Sequence, residues 1–61
     1  MPVVTIRMSK GRTLEQKRQL ADRITSDIVS ILDVDPDWVT ILIEELDREN
    51  IAKAGTLLSD S

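Results

Sequence analysis

The chain has 61 residues, which excludes two domains, a barrel or a doubly wound nucleotide-binding fold. Its 8 Lys and Arg residues are outnumbered by 11 Asp and Glu residues, and the formal charge of −3 predicts no nucleic acid partner. There is no Cys and no His, so disulfides, thiolate nucleophiles, imidazole bases and the usual zinc sites are excluded.

The first predicted element is a strand over residues 3–8, where β-branched residues are frequent, ending at a turn over residues 9–11. A helix is predicted next, because Thr13 stands three residues before Gln16, the spacing of a capping box. Apolar residues then recur at helical intervals and predict an amphipathic helix from about Leu14 to Leu32. Its apolar face is predicted to hold Leu14, Leu20, Ala21, Ile24, Ile28, Ile31 and Leu32, and its polar face Lys17, Arg18, Asp22, Arg23 and Asp27.

The helix is expected to end in residues 33–37, because Pro36 disfavours helical geometry in the residue before it. A second strand is predicted from Trp38 to Leu46. Both of its faces carry apolar residues, which is typical of a parallel sheet. The predicted fold class is therefore α/β (α+β): one right-handed β-α-β unit with parallel strands, followed by a short C-terminal hairpin that turns at Ala54-Gly55.

A single helix can cover only one face of the predicted sheet. A chain this short, without disulfides, usually needs a metal or a partner subunit to remain folded. We therefore expect an obligate oligomer. No apolar run approaches the about 20 residues of a membrane span and no signal peptide is recognised, so we expect no membrane partner and a cytoplasmic protein.

Pro2 has two interpretations. Alone, it is most simply a proline tolerated before an edge strand. If the initiator Met1 is removed, however, Pro2 carries a free secondary amine. An α-amino group has an ordinary pKa of about 8, and burial or nearby arginine cations lower that pKa towards neutrality. Such an amine is a suitable general base, whereas with Met1 attached the nitrogen is an amide without basicity.

Several segments together resemble the 4-oxalocrotonate tautomerases over nearly the whole chain. They are Pro2 after the initiator, Gly11-Arg12 after the first strand, Glu15-Gln16-Lys17 at the helix start and Ile43-Glu44-Glu45 at the end of the second strand. The resemblance implies one tautomerase-like domain over residues 1–61, a homohexamer, and an isomerase of aromatic catabolism that needs no metal and no organic cofactor.

The resemblance also implies the roles of two residues. Pro2 would be the catalytic base and acid that moves a proton within a small enol or 2-oxo acid such as 2-hydroxymuconate. Arg12 would bind the distal carboxylate of that substrate. Taken alone, Arg12 is a solvated loop charge. A strand of about six residues, at ~3.3 Å per residue, separates it from Pro2 by on the order of 20 Å, so Arg12 must come from a neighbouring subunit if both residues serve one site.

Two positions depart from the family pattern. Thr40 stands where well-studied members have a second arginine, and Ile51 stands where they have a pocket phenylalanine. Because an ionic hydrogen bond is worth about 1.5–3 kcal/mol, the missing arginine predicts a roughly ten- to hundredfold weaker handling of a dicarboxylate. Arg48 is a candidate to supply the missing charge, although a salt bridge with Glu44 or Glu45 is the simpler interpretation.

Two other features have structural interpretations. Trp38, the only aromatic residue, is predicted to anchor a core or an interface. The acidic group Asp33, Asp35 and Asp37 lacks the glycine and glutamate of a calcium loop, and is interpreted as a solvated helix exit.

Three alternatives to a homo-oligomeric tautomerase stay open. The same site would suit a hydratase or dehalogenase of unsaturated acids. Thr40 motivates the second alternative, a non-catalytic or complementary subunit of a hetero-oligomer in which another chain supplies the arginine. The third, a ribbon–helix–helix transcription factor, is disfavoured by the β-branched run over residues 39–43 and by the lack of a basic strand face.

Overall fold

The β-α-β arrangement predicted from the sequence is confirmed. A computed structural model of the protein describes residues 1–60. Two strands pair in parallel, with Val3 opposite Thr40 and Ser9 opposite Leu46, and two short strands form an antiparallel C-terminal hairpin. The elements are β1 (Val3–Ser9), α1 (Leu14–Leu32), β2 (Thr40–Leu46), β3 (Ala52–Lys53) and β4 (Thr56–Leu57).

Both ends of α1 are set by local hydrogen bonding and backbone geometry. The Gln16 backbone N–H donates to the Thr13 hydroxyl at 3.1 Å, and the Thr13 backbone N–H donates to Gln16 Oε1 at 3.0 Å. This capping box satisfies two of the N–H groups left free at a helix start. At the other end Asp33 adopts a left-handed conformation with φ of 55°, which stops the helix. Within the described part of the chain, no helix is long and apolar enough to cross a bilayer.

The second strand begins later than predicted. Trp38 and Val39 precede β2, and Pro36–Trp38 forms one turn of 3-10 helix. The Asp35 carboxylate accepts from the Asp37 backbone N–H at 3.0 Å and caps this turn. Pro36 has no backbone N–H, and it suits the first position of a helical turn because an N–H there would have no partner within the turn. Trp38 is 58% exposed, so it anchors no core within the single chain, and its predicted role at an interface stays a prediction.

One face of the parallel sheet packs against α1. Half-buried side chains alternate along both strands, at residues 4, 6 and 8 of β1 and residues 41, 43 and 45 of β2. The α1 side chains that are half-buried are Lys17, Ala21, Ile24, Thr25, Ile28 and Val29, a stripe at helical spacing. The core therefore lies between this stripe and the inner face of the sheet.

The helix face differs in part from the prediction. Lys17, expected on the polar face, is half-buried, whereas four apolar residues are exposed: Leu14, Leu20, Ile31 and Leu32. A helix of 19 residues is about 28 Å long at 1.5 Å per residue. A strand of seven residues is about 23 Å long. The helix is thus longer than the sheet, and the exposed residues Leu14, Ile31 and Leu32 lie at its two ends.

The opposite face of the sheet has no cover within the described chain. This outer face consists of Val3, Thr5, Arg7, Leu42, Glu44 and Leu46, all of them exposed. No side chain among residues 1–60 is fully buried. The radius of gyration is 14.7 Å, against about 10.5 Å for a compact chain of 61 residues. The isolated protomer is thus extended and exposes an apolar sheet face.

Candidate functional site

Pro2 lies at the amino-terminal end of the parallel sheet. It directly precedes β1 and is half-buried. Its carbonyl oxygen accepts a hydrogen bond of 3.0 Å from the Thr40 backbone N–H. This bond continues the ladder between β1 and β2 by one step and fixes Pro2 beside the first residue of β2. Met1, bonded to the Pro2 nitrogen, is 85% exposed.

Arg12 lies at the opposite end of β1, in the loop that leads into α1. Gly11 precedes it with φ of 126°, a conformation that L side chains rarely adopt, and the helix cap Thr13 follows it. The loop is attached to β2 through Lys10, whose backbone N–H donates to the Leu46 carbonyl at 2.9 Å.

A side-chain ion pair adds to this attachment. The Lys10 ammonium lies 2.9 Å from an Asp47 carboxylate oxygen. The hydrogen bond to Asp47, and then its negative charge, raise the pKa of Lys10. The start of the Arg12 loop is therefore held at the carboxyl end of the sheet by both backbone and side-chain contacts.

Arg12 lines an open groove between the end of β1 and the first half of α1. We call it the Arg12 groove. Its volume is about 390 Å³, and its lining residues are Met8, Arg12, Gln16, Gln19, Leu20 and Arg23. The lining offers two guanidinium groups and two side-chain amides over an apolar floor, and it contains no carboxylate. This arrangement can bind an anion that carries an apolar part.

The structure does not bring Pro2 and Arg12 together within one chain. Pro2 is absent from the lining of the Arg12 groove. The seven residues of β1 lie between them, a length of about 23 Å at 3.3 Å per residue. An arginine side chain is far shorter than this separation.

The predicted salt bridge of Arg48 with Glu44 or Glu45 is wrong. Glu44 lies 2.9 Å from Arg7, its partner in the strand register, and Glu45 pairs with Lys17 of α1. Arg48 instead donates from Nη2 to the Leu58 carbonyl at 3.0 Å. The parallel register pairs Glu44 with Arg7, and the packing of α1 on the sheet pairs Glu45 with Lys17. Arg48 supports the C-terminal hairpin.

The two positions that depart from the family pattern, Thr40 and Ile51, each make a backbone hydrogen bond to another segment of the chain. Thr40 is half-buried at the start of β2, next to Pro2. Ile51 is also half-buried, and its carbonyl accepts from the Leu58 backbone N–H at 2.8 Å. Ile51 thus belongs to the base of the hairpin, and Thr40 to the Pro2 end of the sheet.

Arg23 is a site residue that the sequence pattern did not reveal. It was predicted simply on the polar face of α1, yet it lines the Arg12 groove. The signal was present in the spacing, because Gln16, Gln19, Leu20 and Arg23 follow the i, i+3, i+4, i+7 pattern of one helix stripe. Only the fold shows that this stripe adjoins Arg12.

The fold and the groove define a small α/β protein with a proline at one end of a parallel strand pair and a cationic groove at the other. Comparison with known proteins gives its family: the family of tautomerase enzymes matches residues 2–61, and the chain belongs to it. A 2-hydroxymuconate tautomerase of Bacillus subtilis strain 168 is 38% identical over 60 residues, which cover 98% of this chain and 97% of the relative.

Solved structures agree with this assignment. A 4-oxalocrotonate tautomerase isozyme structure from Methylibium petroleiphilum is 42% identical, with a TM-score of 0.91, covering 97% of this chain and 92% of that one. A heterohexamer 4-oxalocrotonate tautomerase from Chloroflexus aurantiacus is 27% identical, with a TM-score of 0.90. The match covers 98% of this chain and 97% of that one. The resemblance seen in the sequence is confirmed, and the protein is an isomerase of the tautomerase type.

Proposed function

We propose that the chain is an enol–keto tautomerase of the 2-hydroxymuconate type, acting in aromatic catabolism. In this proposal Pro2 is the general base and acid, and Arg12 of a neighbouring subunit binds the substrate carboxylate. The observation that carries the proposal is that the match to the tautomerase family begins at residue 2. The part of the chain shared with these enzymes therefore opens with Pro2.

The proposed reaction needs one nitrogen that both accepts and donates a proton. Removal of the exposed Met1 frees the secondary amine of Pro2. The enol hydroxyl proton transfers to this nitrogen, the C–O bond becomes a carbonyl, and the conjugated double bonds shift by one position. The protonated amine then delivers the proton to the carbon at the far end of the conjugated system. The product is an isomer of the substrate, and Pro2 returns to its starting state.

The environment of Pro2 suits this role. A general base is most effective when its pKa lies near the working pH. Pro2 is half-buried, and an arginine of a second chain placed beside it would disfavour the ammonium form. In this proposal, burial and that arginine together favour the neutral amine once Met1 is removed. The hydrogen bond from Thr40 to the Pro2 carbonyl holds the ring at a fixed position while the proton moves.

The proposed site is shared between subunits. Because β1 separates Pro2 from Arg12 by about 23 Å, one chain supplies the base and another supplies the carboxylate anchor. The exposed outer face and the extended shape of the protomer support self-association. We infer a homohexamer of chains that each form one domain over residues 1–61. The Chloroflexus aurantiacus relative, a heterohexamer, supports the number of chains but not their identity.

The first experiment replaces Pro2 with Ala after intact mass has established that Met1 is removed. We expect 2-hydroxymuconate turnover to fall at least about a hundredfold, because a primary amine at this position differs in basicity and geometry. Pro36→Ala, which changes the other of the two prolines, is the matched control and should retain activity. Unchanged turnover in Pro2→Ala overturns the proposal.

A mixing experiment tests whether the site is shared. Pro2→Ala and Arg12→Ala chains are purified separately, unfolded together in equal amounts and refolded. If each site combines two chains, about a quarter of the sites in a random mixture contain both intact residues, so activity returns to about that level. A mixture as inactive as its components contradicts a shared site.

A second candidate function is a subunit of a hetero-oligomeric tautomerase. Thr40 in place of the family's second arginine favours it, and the Chloroflexus aurantiacus relative is a heterohexamer. Such a chain, purified alone, would be inactive towards 2-hydroxymuconate even with Met1 removed. Robust turnover by the chain alone excludes this candidate.

A further inference from the structure

The charge of the Arg12 groove is opposite to that of the whole chain. The chain carries 11 acidic and 8 basic residues, yet the six residues that line the groove include two arginines and no acid. Arg12 comes from the loop and Arg23 from the third turn of α1. The groove is therefore a local cationic site on an acidic protein.

Neither guanidinium group in the groove is neutralised by a carboxylate of the described chain. The ion pairs among residues 1–60 engage four other cations: Arg7, Lys10, Lys17 and Arg18. Asp27, one helical turn after Arg23, forms no ion pair with it there. Arg12 and Arg23 are thus free to bind an anion from outside the chain.

The stripe on α1 adds further hydrogen-bond donors. Gln16 and Arg23 are seven residues apart on one helix face, about 10.5 Å along the axis. The Oε1 atom of Gln16 already accepts a hydrogen bond from the Thr13 backbone N–H. The side-chain NH₂ group of Gln16 can therefore donate to a ligand. The groove therefore combines two cations and a neutral hydrogen-bond donor.

We propose that Arg23 is a second substrate-binding residue, which acts with Arg12 on the carboxylate at the end of the substrate remote from the base. This inference rests on the proposed function. Thr40 leaves the Pro2 end without the family's second arginine, so both cations of the site lie at the groove end. The substrate class is conjugated enol acids with a distal carboxylate.

The proposal predicts a difference between two enol substrates. 2-Hydroxymuconate has a carboxylate at its distal end, whereas phenylenolpyruvate has a phenyl group there and its carboxylate beside the enol. With both arginines at the distal end, the first substrate should depend on Arg23 and the second should not.

The kinetic test uses Arg23→Gln with Arg18→Gln as the matched control. Arg18 lies on the same helix, pairs with Glu15 at 3.7 Å and is outside the groove. In Arg23→Gln we expect KM for 2-hydroxymuconate to rise about tenfold, the loss typical of one ionic hydrogen bond. Its kcat, and both constants for phenylenolpyruvate, should change less than about twofold. Equal effects of the two substitutions overturn the proposal.

A binding test separates this inference from the proposed function. trans,trans-Muconate is a dicarboxylate that lacks the enol and is not isomerised, so calorimetry measures its affinity without catalysis. We expect Arg23→Gln to weaken muconate binding about tenfold and Arg23→Lys, which retains the charge, to weaken it less. This result supports the role of Arg23 even if the parent protein does not isomerise 2-hydroxymuconate.

Two results of the binding test contradict the proposal. One is equal muconate affinity in the parent and Arg23→Gln. The other is loss of assembly in Arg23→Gln, measured by sedimentation velocity, with muconate affinity unchanged. In that case Arg23 serves a contact between copies of the chain.

Discussion

The Lys17 ammonium of α1 pairs with the Glu45 carboxylate of β2, and the two side chains are only 25% and 28% exposed. This ion pair lies within the half-buried layer between helix and sheet, one helical turn after the Thr13 cap. It attaches the start of α1 to the carboxyl end of β2. Since Arg12 immediately precedes the cap, the pair also fixes the position of the Arg12 loop.

Replacement of Lys17 by Met should lower the free energy of unfolding by about 1–2 kcal/mol, because Glu45 would remain largely buried without its partner. Arg18→Met is the matched control: the Arg18–Glu15 pair has both side chains 67% exposed, and such pairs contribute less than about 1 kcal/mol. Urea denaturation at one fixed protein concentration measures the free energy of unfolding of both variants. Equal losses would show that the burial of the Lys17 pair is unimportant.

Introduction of an arginine at Thr40 should restore a second carboxylate contact near Pro2. The hydrogen bond from Thr40 to Pro2 uses the backbone N–H, so the substitution preserves it. We expect kcat/KM for 2-hydroxymuconate to rise about tenfold, which corresponds to one ionic hydrogen bond. Thr40→Met is the control, because the methionine side chain is similar in length to that of arginine but carries no charge. A gain in both variants would mean that charge is not the cause.

The outer face of the sheet should be required for assembly. Leu42 lies in the middle of β2, opposite Thr5, and is 48% exposed. Its burial against a second chain would contribute about 1.5–3 kcal/mol, and an aspartate would be costly to desolvate there. We therefore expect Leu42→Asp to dissociate the oligomer in sedimentation velocity experiments.

Leu14→Asp is the matched control for that experiment. Leu14 is 60% exposed at the first position of α1, where a negative side chain interacts favourably with the helix dipole. Assembly should persist in this variant. An intact oligomer in Leu42→Asp would exclude the outer face as the interface.

Lys10 should titrate at a higher pH than an ordinary lysine, because the hydrogen bond and the negative charge of Asp47 favour its ammonium form. The raised pKa means that the pair stabilises the fold fully below the unfolded-state pKa of about 10.4, and that this stabilisation is lost as pH rises through the folded-state pKa. NMR titration of the Lys10 side chain measures the shift directly. In Asp47→Asn the pKa should decrease, and a value equal to that of the parent would contradict the assignment of its cause.

The helix could be predicted almost completely because its signals are local. Thr13 and Gln16 form the capping box that their spacing indicates, and Pro36 prevents continuation of the helix. The start of β2 was less predictable. Trp38 and Val39 favour a strand by composition, but the Asp35 carboxylate and Pro36 together stabilise a turn of 3-10 helix that includes Trp38. A local side-chain cap outweighed the β propensity.

The site was predictable only in part. Pro2 was indicated as a base by the chemistry of a freed secondary amine, and resemblance supplied its catalytic role and that of Arg12. Their assignment to one shared site stays a prediction. Arg23 was not found, because its place beside Arg12 depends on how the loop meets the helix. The partner of Glu44 depended on the strand register, which the sequence does not fix, and register selected Arg7 rather than Arg48.

The parallel pair of strands has a consequence for the newly made chain. In the described structure β1 and β2 each have a neighbouring strand on one side only. The other side of each strand is an edge whose N–H and C=O groups can recruit strands from any nearby polypeptide. Aggregation and correct assembly therefore compete from the moment of synthesis, and the yield of native protein depends on how quickly matching copies cover these edges.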